Sequence, residues 1–311
     1  MSTMSTDGSF IVRSATEDDL KALTSFFVME SWPVNLHDLA CGYAFDPSGF
    51  FVGELNGEIV SHINAVKYPG HSACIGNFLV KKEHRGKGYG RQTWDAAWKS
   101  LDHNCTIVLD GVNKMVPTYE SLGFQSVWKT SIAMVNLTKV VKIFSSVNTQ
   151  PAFSCVPIRT VDFEKIFEYD TSVFGAPRHT LLEKYVNLPG SLGWAAVNEK
   201  GDILGYNLVR QFIIEGGKFI LCMAPLYADN NVVARALFKV AAETYLATDA
   251  IEGSNMTFFY SDGGSYGDHA SRMVVELEPV KIFSTMQRMF TKGSPPGTQI
   301  SKMYGLFSVA F

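Results

Sequence analysis

The sequence has no long apolar run and none of the features of a targeting segment. No apolar stretch in the 311 residues approaches the roughly 20 residues that a membrane-spanning helix needs. Residues 1–9 lack both the apolar core of a secretion signal and the arginines of a transit peptide. We therefore expect a soluble protein of the cytoplasm that makes no contact with membranes.

Paired cysteines and clustered basic charge are also lacking. The five cysteines are scattered, their number is odd and no Cys-x-x-Cys pair occurs, which argues against a disulfide framework and against a zinc site. The formal net charge is -3, and no run of lysine and arginine is long enough to follow a phosphate backbone. We therefore expect reduced thiols, no metal and no nucleic-acid partner.

The chain is long for a single hydrophobic core. Hydrophobic residues make up 46% and charged residues 18% of the sequence, which is typical of a globular protein. A chain of 311 residues usually divides its apolar residues between two cores. The composition therefore predicts two domains.

An internal repeat supports this division. Gly49 and Gly57 in the first half recur as Gly193 and Gly201, each 144 residues later, and each pair lies in a strand–turn–strand pattern. The two copies also begin alike. In each, a strand that contains an arginine, Arg13 in the first copy and Arg159 in the second, leads into an amphipathic helix. In the first copy, Thr16 and Asp19 form the expected cap of that helix. A duplicated unit is the simplest explanation.

Each copy continues with the same order of elements. A third strand is predicted at 73–80 and 218–224, an amphipathic helix follows, and a further strand comes at 106–110 and 256–260. We predict a linker at 145–150, a turn at 294–297 and a terminal strand at 303–311. This order predicts an α/β fold in which helices cover a mixed sheet.

A glycine-rich loop follows the third strand of the first copy and leads directly into a helix. It reads Arg85-Gly86-Lys87-Gly88-Tyr89-Gly90-Arg91. Glycines allow backbone N–H groups to converge without a Cβ in the way, and a helix N-terminus adds free donors and a favourable dipole. Three cationic side chains lie among them. The loop is suited to holding a pyrophosphate; the alternative is a flexible surface loop whose charge is incidental.

The spacing excludes two other phosphate loops. No Gly-Lys-Ser/Thr follows four intervening residues, as a P-loop requires. The third glycine comes one residue too early for the dinucleotide fingerprint, and the preceding strands form hairpins rather than a βαβ unit.

Two motifs of the first copy resemble those of the GNAT acetyltransferases. Arg-x-x-Gly-x-Gly, here Arg85 to Gly90, resembles that family's acyl-CoA signature in both sequence and setting. Tyr119-Glu120-Ser121-Leu122-Gly123-Phe124 resembles the family's segment between a late helix and the next strand. The second half, through motifs such as 174–178, 224–229 and 288–293, resembles the C-terminal domain of a tandem-GNAT subgroup. The resemblance implies two tandem domains, at 10–140 and 150–311, the second of them degenerate.

The resemblance also implies a function. It predicts an N-acetyltransferase that moves an acetyl or short acyl group from acetyl-CoA to a primary amine by direct attack. The loop 85–91 would hold the pyrophosphate, and Phe78, Leu79 and Val80 would pair with the pantetheine arm like an added strand. Tyr119 would be the general acid for the leaving thiolate, or else a packing tyrosine. The acceptor would be a small-molecule amine or an amino-acid-like molecule.

The general base is not evident. Many GNAT enzymes carry a glutamate on the strand before the loop, but residues 71–78 contain no carboxylate. The candidates are Asp110, Glu54, His62 and His71, acting directly or through water, or no base if the amine arrives neutral. Cys74 is expected to be a buried strand cysteine rather than a nucleophile.

The second copy has lost the glycine loop. At its position stand residues 229–234, which contain no glycine and begin with Asp229, which we interpret as a helix N-cap. We therefore predict that the second domain does not bind CoA by this mechanism and that it walls the substrate cleft or stabilises the first. Four polar residues of the second half are either substrate contacts or ordinary polar loop residues: Arg178, His179, Tyr260 and Asp262. Two alternative functions remain. Because the strand glutamate is missing, the protein could be a catalytically silent acyl-CoA-binding or regulatory protein. Because the second domain is degenerate, it could be a scaffold in which the glycine loop is vestigial.

Overall fold

The computed structural model describes residues 9–30, 32–33, 35, 37–146, 152–213, 218–248, 254–262 and 268–306. The first half contains strands β1 (Phe10–Ser14), β2 (Phe50–Leu55), β3 (Glu58–Tyr68), β4 (Ser72–Val80), β5 (Thr106–Val112) and β6 (Gln125–Asn136). Its helices are α1 (Leu20–Met29), α2 (Asp38–Phe45), α3 (Tyr89–Lys99), α4 (Val116–Ser121) and α5 (Leu137–Ser145).

The second half repeats this order. Its strands are β7 (Phe153–Pro157), β8 (Leu192–Asn198), β9 (Ile203–Ile213), β10 (Phe219–Ala228), β11 (Asn255–Asp262), β12 (Lys281–Phe290) and β13 (Met303–Gly305). Its helices are α6 (Phe163–Phe174), α7 (His179–Val186), α8 (Asn231–Leu246) and α9 (Asp268–Glu276). The expected α/β fold with a mixed sheet and a duplicated plan is confirmed. No helix in the described ranges is long and apolar enough to cross a membrane.

All thirteen described strands belong to one sheet. Its order is β1-β2-β3-β4-β5-β12-β6-β11-β10-β9-β8-β7, and β13 pairs with β10 beside this path. Strands β1 to β6 correspond to β7 to β12 in the repeat. Counted inward from one edge, the order is β1-β2-β3-β4-β5-β12, and from the other edge it is the corresponding β7-β8-β9-β10-β11-β6. The two halves are therefore related by a pseudo-two-fold axis between β12 and β6.

The two halves exchange strands at this axis. Strand β12 of the second half lies between β5 and β6, and β6 of the first half lies between β12 and β11. Each half thereby covers a sheet edge that the other would leave unpaired. The boundary between 10–140 and 150–311 divides the sequence, whereas the sheet continues through both parts without a break.

The first-half sheet has two differently packed faces. On the α3 face, Ala73 and Ile75 of β4 pack with Trp94 of α3 in one apolar cluster. On the α1 face, Cys74 packs against a second cluster that contains Phe26 of α1 and residues of α6 and α7. Because successive strand residues point to opposite faces, this alternation assigns a face to every residue of β5 and to the residues of β4 up to Gly76, where the register of β4 against β3 shifts.

Two cap predictions have different outcomes. The predicted pair of Thr16 and Asp19 forms a capping box, in which Asp19 accepts a 2.7 Å hydrogen bond from the Thr16 N–H group, but it caps the 3-10 turn Glu17–Asp19 that leads into α1 rather than α1 itself. Asp229 is not the cap of α8, because the Asn230 side chain accepts from the N–H groups of the first helical turn. Asp229 instead accepts from the Tyr169 hydroxyl and pairs with Lys302 at 2.9 Å.

Two segment predictions fall partly outside the described residues. Of the expected linker 145–150, the described part is the end of α5 and Ser146, and 147–150 lie outside. Of the expected terminal strand 303–311, Met303–Gly305 form β13 and 307–311 lie outside.

Candidate functional site

Strands β4 and β5 separate partway along their length. They pair in parallel at Ser72, Ala73 and Cys74 of β4, and no later residue of either strand pairs with the other in the described structure. Residues 75–80 and 109–112 therefore line an open gap, which we call the β4–β5 groove. Backbone groups on its two edges are free to pair with an extended ligand.

A bulge in β4 contributes to this separation. His62 of β3 pairs with Leu79 and Asn64 pairs with Gly76, so that Asn77 and Phe78 together oppose one β3 residue. Asn77 has a φ of 52°, which is rare for a residue other than glycine. Because a bulge bends its strand and increases the local twist, it turns the end of β4 away from β5.

The glycine loop lies at the end of this groove. Gly86 and Gly88 have φ values of 76° and 84°, and nothing lies within 4 Å of where a Cβ would stand on either. Gly88 is the N-cap of α3, and the N–H groups of residues 88–91 donate to no described acceptor. A Cβ on Gly90 would lie 2.9 Å from Val80, so α3 rests directly on the end of β4.

The three cations of the loop have different partners. The Arg85 side chain donates to the Val80 carbonyl at 2.8 Å and pairs with Glu30 at 2.7 Å, so it ties the loop to β4 and α1. Arg91 is exposed and pairs with Asp95 at 2.7 Å. Lys87 is exposed and makes no ion pair with a described residue. The free N–H groups and Lys87 therefore fit a phosphate group, with Arg85 in a supporting position.

Tyr119 lies over the α3 face of β5. A Cβ on Gly111 would meet its ring at 2.9 Å, and the Trp94 and Phe124 rings lie 5.5 and 6.1 Å away. No described residue is hydrogen-bonded to its hydroxyl group. Burial raises the pKa of Tyr119 above its usual value, so the phenol is protonated at neutral pH. A protonated and unpartnered hydroxyl is suited to donating a proton.

Asp110 projects from the opposite face of β5. It accepts two hydrogen bonds from Arg288 of β12, at 2.9 and 2.5 Å, and one from the Thr130 hydroxyl at 2.8 Å. Its side chain is 1% exposed. A ligand in the groove would therefore have Tyr119 on one side of the sheet and the Asp110–Arg288 pair on the other.

The other base candidates lie elsewhere or are poor proton acceptors. Glu54, two strands from β4, pairs with Arg13 at 2.8 Å. His71 lies at the far end of β4, hydrogen-bonded to Ser72 at 2.7 Å, and burial lowers its pKa. Burial lowers the pKa of His62 to about 4, although its Nδ1 lies 3.0 Å from the Phe51 carbonyl.

Cys74 is a neutral thiol rather than a nucleophile. Burial raises its pKa to about 12, so the thiolate form is not populated at neutral pH. No group of three or more His, Cys, Asp or Glu side chains in the described ranges could hold a metal ion.

A cavity of about 70 Å³ opens on the α1 face where β4 and β5 part. Cys74 of β4 and Val108 of β5, the last paired residues before the groove, both line it, and so does Arg288. Its other walls come from both halves and combine aliphatic and polar residues, such as Ile300, Met303 and Thr298, with five aromatic side chains: Tyr68, Trp128, Phe174, Tyr227 and Phe290.

The equivalent groove of the second half is filled by the chain itself. Strands β10 and β11 pair in parallel from Leu221 to Met223 and then part, as β4 and β5 do. Strand β13 enters this gap, where Gly305 pairs with Leu226 of β10 and the Leu306 N–H donates to Phe259 of β11 at 2.8 Å. The second groove is therefore closed to a ligand that would pair as a strand.

The second-half candidates have mainly structural contacts. Arg178 lies in the loop between α6 and α7 but is not available to substrate, because it is fully buried and forms two hydrogen bonds to Asp170 at 2.7 and 2.8 Å. His179 is exposed and lies 3.1 Å from Glu164. Tyr260 is buried, which raises its pKa to about 12, and Asp262 accepts from Ser131.

Sequence reasoning did not identify Arg288 or the aromatic walls of the cavity. Arg288 lies in a segment that was assigned to the second domain, and its partner Asp110 is 178 residues away. The pairing depends on the exchange of β12, for which the sequence offers no local pattern.

Known families match both halves of the chain. Residues 16–124 match the Acetyltransferase (GNAT) family, and residues 166–305 match the Acetyltransferase (GNAT) domain. A holothin acyltransferase of a Pseudoalteromonas species is 25% identical over 229 residues, which are 74% of this chain and 73% of that protein. An uncharacterized protein of Caenorhabditis elegans is 32% identical over 171 residues, 53% of each chain.

Solved structures share the fold over most of the chain. A protein of Pyrococcus horikoshii has a TM-score of 0.73 at 20% identity, over 97% of this chain and 95% of that one. A tandem GNAT protein from the clavulanic acid biosynthesis pathway has a TM-score of 0.61 at 14% identity, over 92% and 99%. The chain therefore belongs to the GNAT acyltransferase family and contains two GNAT domains in tandem.

Proposed function

We propose that the protein is an N-acetyltransferase that transfers an acetyl or other short acyl group from acetyl-CoA to a primary amine. The observation that carries this proposal is the open β4–β5 groove, which ends at the glycine loop and has Tyr119 and Asp110 on its two sides. A relative named as an acyltransferase adds support. The proposed compartment is the cytoplasm, because all five cysteines are unpaired.

The glycine loop would hold the pyrophosphate of the co-substrate. The N–H groups of residues 88–91 and the ammonium of Lys87 supply donors and positive charge there. The backbone of Phe78, Leu79 and Val80 would pair with the pantetheine arm along the free edge of β4. The second half would bind no co-substrate, because β13 occupies the equivalent place.

The groove would then determine from which side of the sheet the amine and the proton donor reach the thioester. Bound acetyl-CoA supplies a thioester carbonyl, at which the amine nitrogen forms a C–N bond as the C–S bond breaks. The amine approaches on the side of the sheet where the Asp110–Arg288 pair lies. Tyr119, on the other side, donates its proton to the leaving sulfur and regains one from solvent. The surplus proton of the amine passes to water.

Thiol release from acetyl-CoA tests this function. The protein is incubated with acetyl-CoA and a panel of amino acids, polyamines, alkylamines and arylamines, and free CoA thiol is measured. We expect release that depends on one class of amine and on an intact glycine loop. Binding of acetyl-CoA without release on any amine would favour the silent acyl-CoA-binding protein, and absence of binding would contradict both.

A further inference from the structure

We infer that the acceptor is a compact, planar and weakly basic amine, such as an arylamine, which binds in the cavity between the two halves. This inference rests on the proposed function and specifies the substrate class of the same site. It follows from four observations: the walls of the cavity, its position beside the groove, the pairing of its charges and the state of the surrounding bases.

The walls of the cavity are suited to a flat apolar ring. Trp128 and Phe290 meet edge to face at 5.4 Å, and Tyr68 and Phe174 lie 4.9 Å apart on the other side. Aromatic side chains gain most from a partner ring in such offset or edge-on arrangements. At about 70 Å³, the cavity admits a compact group rather than a peptide or a polyamine.

The position of the cavity directs its occupant toward the groove. Cys74 and Val108, which line it, are the last paired residues before β4 and β5 separate. Arg288, which also lines it, pairs with Asp110 through Nε and Nη2. An amino group on a ring held here would therefore point at the Asp110 side of the groove.

The charges beside the cavity are already paired within the protein. Arg288 is neutralised by Asp110, and Arg178, stacked 4.0 Å above the Phe174 ring, is neutralised by Asp170. No described lining residue is a carboxylate that could receive an ammonium group. Since burying an unpaired charge is costly, the cavity selects an uncharged amine.

The surrounding bases lead to the same class of acceptor. An alkylamine titrates near the lysine value of about 10.4, so it is almost wholly protonated at neutral pH and must lose a proton before attack. Three lone-pair positions of Asp110 are occupied, and His62 is both buried and weakly basic. His71 lines the cavity, but burial lowers its pKa. An arylamine needs none of these residues, because it is neutral when it arrives.

Aniline and benzylamine form a matched pair that tests the inference. Both carry one phenyl ring, but only benzylamine is strongly basic. We expect kcat/KM for aniline to be flat from about pH 6.5 to about pH 8.5, and to exceed that for benzylamine at pH 7 by on the order of 100-fold. Turnover of benzylamine at a rate equal to or above that of aniline would overturn the inference and leave the proposed function intact. Thiol release with neither amine, nor with any in the wider panel, would overturn both.

A variant that fills the cavity adds a test of position. Cys74→Met extends a side chain into the cavity, whereas Cys155→Met makes the same change at a half-buried cysteine on β7. We expect Cys74→Met to raise the KM for aniline at least 10-fold and to leave the KM for acetyl-CoA unchanged. Cys155→Met should change neither value. An unchanged KM for aniline in Cys74→Met would place the acceptor elsewhere.

Discussion

Replacement of Gly88 by alanine tests whether the glycine loop binds the pyrophosphate of acetyl-CoA. The test must separate two effects of the substitution, which are backbone strain in the free protein and loss of acetyl-CoA binding. Gly88 has a φ of 84° and open space around it, so an added Cβ clashes with no protein atom. A non-glycine residue in this left-handed region costs about 1–2 kcal/mol. For a protein of this size, that cost lowers the melting temperature by a few degrees even without ligand.

Gly57 provides the matched control. It lies in the β2–β3 turn, has a φ of 85° and has nothing within 4 Å of its Cβ position. Gly57→Ala should therefore lower the melting temperature of the free protein by about as much as Gly88→Ala. The two variants differ in that only Gly88 lies at the proposed pyrophosphate site.

Thermal melts with and without acetyl-CoA distinguish the two effects. At a concentration 100 times the Kd, a ligand stabilises the folded state by about 2.7 kcal/mol. We expect wild type and Gly57→Ala to show this gain in full. Gly88→Ala should lose most of it, because the new methyl group stands where the backbone must approach the phosphate. Equal stabilisation of both variants by acetyl-CoA would refute the assignment of the loop.

Three further predictions concern the acid, the closed second groove and a buried histidine. Tyr119→Phe should lower kcat by ~10²-fold without changing the KM for acetyl-CoA; an unchanged kcat would remove Tyr119 as the acid. In Gly305→Val, the new Cβ would lie 3.1 Å from the backbone of Leu226. This crowding should lower the free energy of unfolding, measured in urea, by about 1–3 kcal/mol, but it should leave the affinity for acetyl-CoA unchanged. Loss of that affinity would place the co-substrate in the second half. The pKa of His62 is about 4 in the folded protein and about 6.5 in the unfolded chain, so between these values the unfolded chain binds more protons and stability falls as the pH is lowered. From pH 7 to pH 5 the free energy of unfolding should fall by about 2 kcal/mol through this residue, and His62→Gln should remove that loss. Equal acid sensitivity of wild type and His62→Gln in urea melts would contradict the buried neutral state of His62.

The parts of the fold that were predictable from sequence are those specified by neighbouring residues. The β2–β3 hairpin follows from Asn56 and Gly57, which both have positive φ values as a tight turn requires. The glycine loop and the start of α3 follow from glycine spacing, because only glycine adopts the φ of Gly86 and Gly88 without strain. Such features need no knowledge of distant segments.

The parts that were not predictable depend on distant or nearly equivalent choices. The exchange of β12, which brings Arg288 to Asp110, and the entry of β13 beside β10 pair segments far apart in sequence. The β4 bulge is centred on Asn77, where no glycine indicates a positive φ. At α8, two adjacent residues were both good caps, and tertiary contacts with Tyr169 and Lys302 engage Asp229, while Asn230 provides the cap.

Calorimetric titration of the protein with acetyl-CoA counts the acyl-CoA sites on each chain. We propose that one such site exists, in the first half, because its groove is open and the groove of the second half is closed by β13. We expect one equivalent of acetyl-CoA to bind per chain in the wild type, and binding to be lost or strongly weakened in Gly88→Ala. Two equivalents per chain, no binding, or undiminished binding in Gly88→Ala would contradict this single-site assignment.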